Sequence, residues 1–226
     1  MRVALYAPRF GTPHTPESLS DIIIQSGADI FAGAEYLLFY GDGRRIYPLD
    51  RKVRKTYLNA LHMASKDCII VAPMLWTDGR RFYNSAPIIH DGRIAGERYK
   101  KHTSEMESVL ADVWGMRFAP TESKPVITVD GIDLRVEICL DFPFISDKDE
   151  ADMHLLCASG FWGDRGDPRG PWRVKDGGNA LVVDNQPSSG DYWMSIRRCV
   201  GDEFIPHTPR RSTHAMRVYE VELAKR

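Results

Sequence analysis

The stretch LRVEICLDFPF, Leu134 to Phe144, places a thiol where a strand stops. Val136 and Ile138 alternate with Arg135 and Glu137, the two-residue period of a strand. Cys139 comes next, and Asp141 and Pro143 then signal a turn into a helix. Free cysteine is among the most buried residue types, so core packing is one account of Cys139. A nucleophile held at a strand-to-helix turn is the other. A cysteine thiol is only a few per cent ionised at neutral pH, so this second account requires a base and an oxyanion-stabilising group elsewhere in the chain.

The flanking sequence reads as a layered α/β chain, with short apolar runs alternating with helical patterns. Arg2 to Ala7 is a strand, Pro16 to Ser26 a helix stopped by Gly27, and ADIFAGAEY a second buried strand ending at Gly33 to Glu35. Asp50 to Lys66 is a helix with Val53, Tyr57, Leu58, Leu61 and Met63 on roughly one face. CIIVAPML, from Cys68, is a continuous apolar run and is expected as one central strand. Asp91-Gly92 and Asp130-Gly131 each turn a hairpin. ADMHLLCAS is another buried strand, and AMRVYEVEL alternates as a strand with one exposed face. The segment from Gly160 to Asn179 is rich in glycine, proline and charge without periodicity, the composition of a functional lid or a poorly ordered loop. Trp162 and Trp172 flank it, as lid aromatics or as anchors.

Composition narrows the function classes. The 226 residues are 43% hydrophobic and 27% charged, with a net charge of -1, and are read as a single domain over 1–226. That charge gives no general reason to seek nucleic acid or an acidic membrane. Arg197, Arg198, Arg210 and Arg211 make the C-terminal part locally basic, either a solvated face or the rim of a site for an anionic substrate. No apolar run approaches the ~20 residues that cross a bilayer, and MRVALYAPRFG is too polar for a signal peptide. Cys68, Cys139, Cys157 and Cys199 form no CxxC pair, which argues against a zinc ribbon or a disulfide framework and for a reduced, cytoplasmic protein. Asp152, His154 and Cys157 do not share one strand face, so they read as packing, and no metal or organic cofactor is expected. The glycines of GDGRR and GFWGDRGDPRG give no phosphate-binding fingerprint.

Carboxylates partner Cys139 better than histidines do. Glu35 stands at the C-terminal end of a buried strand, the edge where ligand sites of α/β sheets assemble, and a lone buried carboxylate there is costly unless paired. Lys101 follows a third strand, RIAGERYKK, and a cation at that edge lowers the pKa of its acidic neighbours and neutralises an oxyanion. Lys100 competes with it, since a one-residue shift of the strand swaps which side chain points inward. Glu137 lies two residues before Cys139, so alternation puts both on one face; it sits near the thiol or pairs with Arg135 or a distant arginine.

Glu35 in AGAEYLL, Tyr99-Lys100-Lys101 after NSAPIIHDGRIAGE, and Cys139-Leu140-Asp141 with Phe142-Pro143 together resemble the nitrilase superfamily, the carbon–nitrogen hydrolases. EADMHLLCASG is similar to that family's strand after the cysteine, so the resemblance runs in order from Arg2 to Gly160. Phe142 follows Asp141 directly, where the family more often has two residues between its aspartate and its F-P. The resemblance implies a four-layer α-β-β-α sandwich and a Glu-Lys-Cys triad: Glu35 as general base, Lys101 stabilising the tetrahedral intermediate, and Cys139 forming a thioester. It implies the Leu140 N–H as an oxyanion donor and a second glutamate, with Glu107 fitting the spacing better than Glu105. It implies action on a small amide, less readily a nitrile, by a homodimer or higher homo-oligomer. Two other readings stand beside it: a catalytically inactive nitrilase-like binding protein, and an unrelated cysteine hydrolase with His102 or His154 as base.

Overall fold

The computed structural model describes residues 1–41, 45–160, 171–185 and 192–223. Along the chain lie β1 (Arg2–Tyr6), α1 (Pro16–Ser26), β2 (Ile30–Gly33), β3 (Tyr40–Gly41), β4 (Ile46–Tyr47), α2 (Arg51–Ala64), β5 (Ile69–Val71), β6 (Met74–Thr77), β7 (Arg81–His90) and β8 (Arg93–Tyr99). There follow α3 (Glu105–Trp114), β9 (Arg117–Phe118), β10 (Val126–Val129), β11 (Ile132–Ile138) and a 3-10 turn (Cys139–Phe144). The rest comprises β12 (Ala151–Ala158), β13 (Val174–Asn185), β14 (Tyr192–Val200), β15 (Glu203–Pro206), β16 (Arg211–Ser212) and β17 (Met216–Glu220).

Local chemistry sets these bounds. Thr15 caps α1 in a reciprocal capping box with Ser18, Pro16 occupies the first turn, and Gly27 ends the helix in the left-handed region. Asp50 caps α2 by accepting from the Val53 N–H, 2.8 Å away. Tyr57, Leu58, Leu61 and Ala64 form the buried face of α2, while Met63 points to solvent, against the expectation. Both Asp-Gly hairpins form as expected, with Asp91 and Gly92 at φ 48° and 68° and Asp130 and Gly131 at φ 48° and 72°. CIIVAPML divides into β5 and β6 around Ala72 and Pro73. β5 runs parallel to β2, whereas β6 returns antiparallel to β7.

Two sheets carry the architecture. The first runs β16-β17-β1-β2-β5-β7-β6, with β8 and β9 also paired to β7; the second runs β10-β11-β12-β13-β14-β15. Val3, Leu5, Ile30 and Ile69 of the first sheet pack with Leu134, Val136, Leu155 and Val183 of the second in one buried core. The other face of the first sheet, with Ala4, Phe31 and Ile70, packs against Leu19 and Ile23 of α1 and Tyr57 and Leu61 of α2. The described residues therefore supply three of the expected layers: a helix pair, a sheet and a second sheet. The outer side of the second sheet carries Arg135, Glu137 and His154, opposite in alternation to the core residues Leu134, Val136 and Leu155.

Alternation misleads at the C-terminus. Val218 and Tyr219 of β17 are both buried, because β17 sits inside the first sheet between β16 and β1. Part of the segment expected as a loop is β13, entered through a bulge against β12 between Ala151 and Met153. Gly178 stands at that irregularity, where a Cβ would meet the Asp152 carbonyl at 2.7 Å. Trp172 packs on Phe142 and His154, with ring centroids 4.5 and 5.0 Å apart, as an anchor. Trp162 and the rest of GFWGDRGDPRG after Gly160 lie outside the described residues, as do Asp42, Gly43 and Arg44 of GDGRR. Among the described residues no helix is long and apolar enough to cross a membrane.

A buried ion network joins the two sheets beside the Cys139 turn. β10 begins at Val126, opposite Arg135, and just beyond that point Arg98 of β8 donates to the Val136 carbonyl at 2.8 Å. The same guanidinium reaches the Glu137 carboxylate at 3.0 Å and the Ser123 and Lys124 carbonyls. Arg135 binds the other Glu137 oxygen at 2.9 Å and continues to Asp147. Glu137 is thus the arginine-paired carboxylate of the sequence alternatives. Breaking a buried pair from one side leaves charge uncompensated, at a cost of about 3–5 kcal/mol. Glu137→Ala is expected to lower the unfolding free energy by about that amount in urea; a loss below about 1 kcal/mol, the range of exposed pairs, would remove the network from the fold's supports.

Candidate active site

Four chain segments deliver one cluster of polar side chains between the sheets. Glu35 follows β2, and its backbone N–H reaches across to the Ala158 carbonyl of the second sheet at 3.2 Å. Lys100 follows β8, held by its own N–H on the Asn84 carbonyl at 2.9 Å. Glu107 lies in the first turn of α3, and Cys139 opens the 3-10 turn after β11. Lys100 Nζ sits 2.8 Å from Glu35 Oε1 and 2.9 Å from Glu107 Oε2, and all three side chains are buried. The Cys139 thiol lies beside the Glu35 carboxylate, close enough for each to shift the other's pKa.

The lysine in this cluster is Lys100, and Lys101 is outside it. Lys101 Nζ pairs with Glu122 at 2.7 Å on the partly exposed surface. The reason lies in the β7–β8 register, where Ile89 faces Ile94 but Ile88 faces Gly96. One extra residue, Ala95, bulges from β8 and reverses the alternation that follows. Gly96, Arg98 and Lys100 then turn toward the second sheet, as their contacts with Ile127, Glu137 and Glu35 show. The backbone of Lys101 still matters, since Asp141 accepts from its N–H at 2.9 Å and from the His102 N–H at 2.8 Å.

Glu107 has a double task. Its Oε2 accepts from the Ser104 N–H at 2.9 Å, completing the capping box of α3, and the same oxygen faces Lys100. Glu105 is exposed on the outside of that helix. Asn84 of β7, which sequence reasoning missed, joins the two carboxylates: its Nδ2 donates to Glu35 Oε1 and to Glu107 Oε1, each at 2.8 Å. The signal was present in Asn84-Ser85, a polar pair inside an otherwise apolar strand.

Cys139 and Tyr36, the residue after Glu35, have strained backbones. Cys139 has φ 47° and Tyr36 φ 56°, a region that non-glycine residues enter at a cost of about 1–3 kcal/mol each. The strain turns Cys139 into the inter-sheet core although Glu137, two residues earlier, faces the arginines. Alternation alone would have put both on one side.

Electrostatics keep the resting thiol protonated. Burial raises the Cys139 pKa well above its ordinary value, and the Glu35 carboxylate adds to that rise. Lys100 and the Ser159 backbone N–H oppose it without prevailing. Burial likewise raises Glu35, against the pull of Lys100. Burial works to lower Lys100, but Glu35, Glu107 and Cys139 outweigh it, so the ammonium stays charged.

The histidines considered as bases are engaged elsewhere. His102 Nδ1 lies 2.9 Å from Asp141 Oδ1, and its ring stacks on Phe144. His154 accepts the Arg173 N–H on Nδ1 at 2.9 Å, on the outer side of the second sheet. Asp152 accepts from Lys175 and from the Asp133 N–H.

By sequence, no family model and no curated protein matches the chain. Solved structures do match its shape. The carbon–nitrogen hydrolase of Helicobacter pylori superimposes with a TM-score of 0.65 at 13% identity, over 98% of this chain and 89% of that one. This chain has the nitrilase fold. XC1258 of Xanthomonas campestris, a CN-hydrolase superfamily protein, matches at TM-score 0.64 and 11% identity, over 98% and 90% of the two chains. Saccharomyces cerevisiae Nit3, of branch 10 of the nitrilase superfamily, gives 0.61 at 14% identity, again over 98% and 90%. In this nitrilase fold the buried cluster occupies the strand ends that the sequence pointed to, at β2, β8 and β11.

The charge on Glu35 is a cause of the raised thiol pKa, so removing it has a defined sign. In Glu35→Gln the like charge is gone while Lys100 stays, and the Cys139 thiol is expected to titrate lower than in the wild type. The pH dependence of iodoacetamide alkylation, followed by intact mass, measures this. A wild-type profile below that of Glu35→Gln would overturn the assignment of Glu35 as the thiol's partner.

Proposed function

We propose that this chain is a hydrolase of non-peptide carbon–nitrogen bonds that works through a cysteine acyl-enzyme. One observation carries the reading: a single buried carboxylate, Glu35, is ion-paired with the Lys100 ammonium and stands beside the Cys139 thiol. A base, a nucleophile and a cation in mutual contact are the parts that acyl transfer requires.

The chemistry follows from those contacts. As Cys139 Sγ attacks the carbonyl carbon of an amide, its proton passes to Glu35, whose raised pKa suits it to hold that proton. Negative charge develops on the carbonyl oxygen. Lys100 and the Leu140 N–H are the donors assigned to it, the latter because it follows the nucleophile in the 3-10 turn. Collapse breaks the C–N bond, Glu35 returns the proton to the leaving amine, and a thioester remains. Water then gives a proton to Glu35 and attacks the thioester carbon, releasing the acid and restoring the thiol. Glu107 and Asn84 act as positioning residues, the first on Lys100 and the second on both carboxylates.

Amides are the favoured substrates over nitriles on the strength of the family resemblance. No metal or organic cofactor enters this scheme. Relatives that have lost chemistry would keep the same fold, so activity must be tested on the triad itself.

The deciding experiment is intact-protein mass after exposure to a panel of small amides and nitriles. A transient adduct is expected on the wild type and absent from Cys139→Ala. No adduct from any substrate, together with a thiol that alkylates no faster than free cysteine even at alkaline pH, would favour a non-catalytic binding protein. The lysines separate cleanly in the same assay. Lys100→Ala is expected to lose roughly 100- to 1000-fold in turnover, the cost of one oxyanion donor, whereas Lys101→Ala keeps turnover within a few-fold. The reverse pattern would return the role to Lys101.

A further inference from the structure

A second feature lies apart from the cysteine cluster, at the turn between β6 and β7. Arg51, Arg80, Arg81 and Arg117 line one groove of about 820 Å³, together with Asp78, Gly79 and Gly115. They come from three separate parts of the fold: the first residue of α2, the β6–β7 turn and the start of β9. The chain as a whole has a net charge of -1, so four arginines around one open groove are a local departure from its balance.

Asp78 does not neutralise the set. Its carboxylate takes Arg81 at 2.8 and 3.1 Å, Tyr83 Oη at 2.9 Å and the Arg80 and Arg81 N–H groups at 3.2 and 3.0 Å. Arg51, Arg80 and Arg117 make no ion pair or side-chain hydrogen bond with the described residues. Three guanidinium groups therefore face the groove without a counter-charge.

Their placement costs the protein stability. Arg81 and Arg117 are direct neighbours on the parallel strands β7 and β9, where like charges repel. Arg51 opens α2 at the positive end of its dipole, where the only carboxylate among the described residues of that turn is the Asp50 cap, bonded to the Val53 N–H. The surrounding backbone is fixed. Thr77 Oγ1 bonds the Arg81 carbonyl at 2.7 Å and accepts the Gly79 N–H at 2.9 Å, and the Arg117 N–H bonds the Arg80 carbonyl at 3.1 Å. Three unpaired guanidinium groups on a hydrogen-bonded backbone, beside the Arg81–Asp78 pair, make a site for an anion.

We propose that this groove binds an oligophosphate, free or as the phosphate tail of a nucleotide. Three unpaired guanidinium groups match a ligand of three or more negative charges, and their planar forks suit phosphate oxygens. Among the described residues no aromatic ring lines the groove, so recognition stops at the phosphates and a nucleotide base adds nothing. The site is separate from the chemistry: Arg81 precedes Asn84 by three residues on β7, roughly 10 Å at the rise of a strand.

Isothermal titration with inorganic tripolyphosphate and, in a parallel arm, with ATP tests this in the absence of added divalent cations. One saturable site is expected, with equal affinity for both ligands and weakening as sodium chloride is raised. Arg80→Ala/Arg117→Ala is expected to bind at least tenfold more weakly. Arg51→Ala, in a different element, is expected to weaken binding in the same direction. Each variant's melting midpoint without ligand serves as the folding control, and tripolyphosphate should raise the midpoint of the wild type more than that of either variant. Affinity unchanged in both variants would overturn the proposal, as would no saturable binding of tripolyphosphate. Binding of ATP alone would overturn recognition by phosphate. Salt-sensitive self-association that the same substitutions abolish would assign the groove to an acidic face of a second copy instead.

Discussion

Everything at the centre of this molecule depends on one buried ammonium. Lys100 is fully enclosed, and an unpaired cation there would give up its charge. Two carboxylates, Glu35 and Glu107, hold it charged at 2.8 and 2.9 Å, two acidic groups to one cation. That excess has a chemical consequence. The neighbouring thiol cannot ionise in the resting site without placing another negative charge in the same dry space. Its pKa is accordingly raised by burial and by Glu35. In the proposed reaction the thiol therefore starts protonated beside its base, and its proton moves as the carbon–sulfur bond forms.

The fold holds this arrangement through links between strand ends. Asp141, two residues after the nucleophile, accepts the N–H groups of Lys101 and His102, the residues just after the cluster lysine. Its carboxylate thereby ties the turn of the second sheet to the strand end of the first. The Glu35 N–H reaches the Ala158 carbonyl and makes a second tie, from β2 to β12. These bonds hold Cys139 and Tyr36 in positive-φ conformations that isolated residues would leave. Strained residues beside the cluster and hydrogen bonds across the sheets belong to one device.

Much of this was legible in the sequence, and the exceptions have physical causes. The hairpins at Asp91-Gly92 and Asp130-Gly131 were readable because a tight turn with two positive φ angles selects those residues. Glu35, Glu107 and Cys139 were readable because polar groups at apolar strand ends or capping positions need a reason to be there. The Y-x-K spacing favoured Lys101, whereas the structure brings Lys100 into the cluster, and the bulge at Ala95 that orients it leaves no mark in a stretch as mixed as RIAGERYKK. Met63 shared the apolar character of α2's buried face without sharing its position. β13 was hidden by the glycines of its own entry bulge. α3 went unread because its apolar residues, Val109 and Val113 among them, are largely outside the core.

The two buried ion clusters differ in what they can be for. Arg98, Glu137, Arg135 and Asp147 alternate in sign across the junction of the sheets, so each charge has an opposite neighbour. Such a network can be satisfied in full, and apolar residues of similar volume could often replace it without loss of stability. The Lys100 cluster is not balanced, since it keeps one excess carboxylate and an adjacent thiol in an interior that disfavours both. Packing gives no reason for that imbalance, because a second cation or a neutral amide at Glu107 would relieve it. Proton transfer does give one. A carboxylate whose protonation is eased by its surroundings, beside a thiol that must lose a proton and a cation that must stay charged, is poorly suited to structure alone and well suited to acyl transfer.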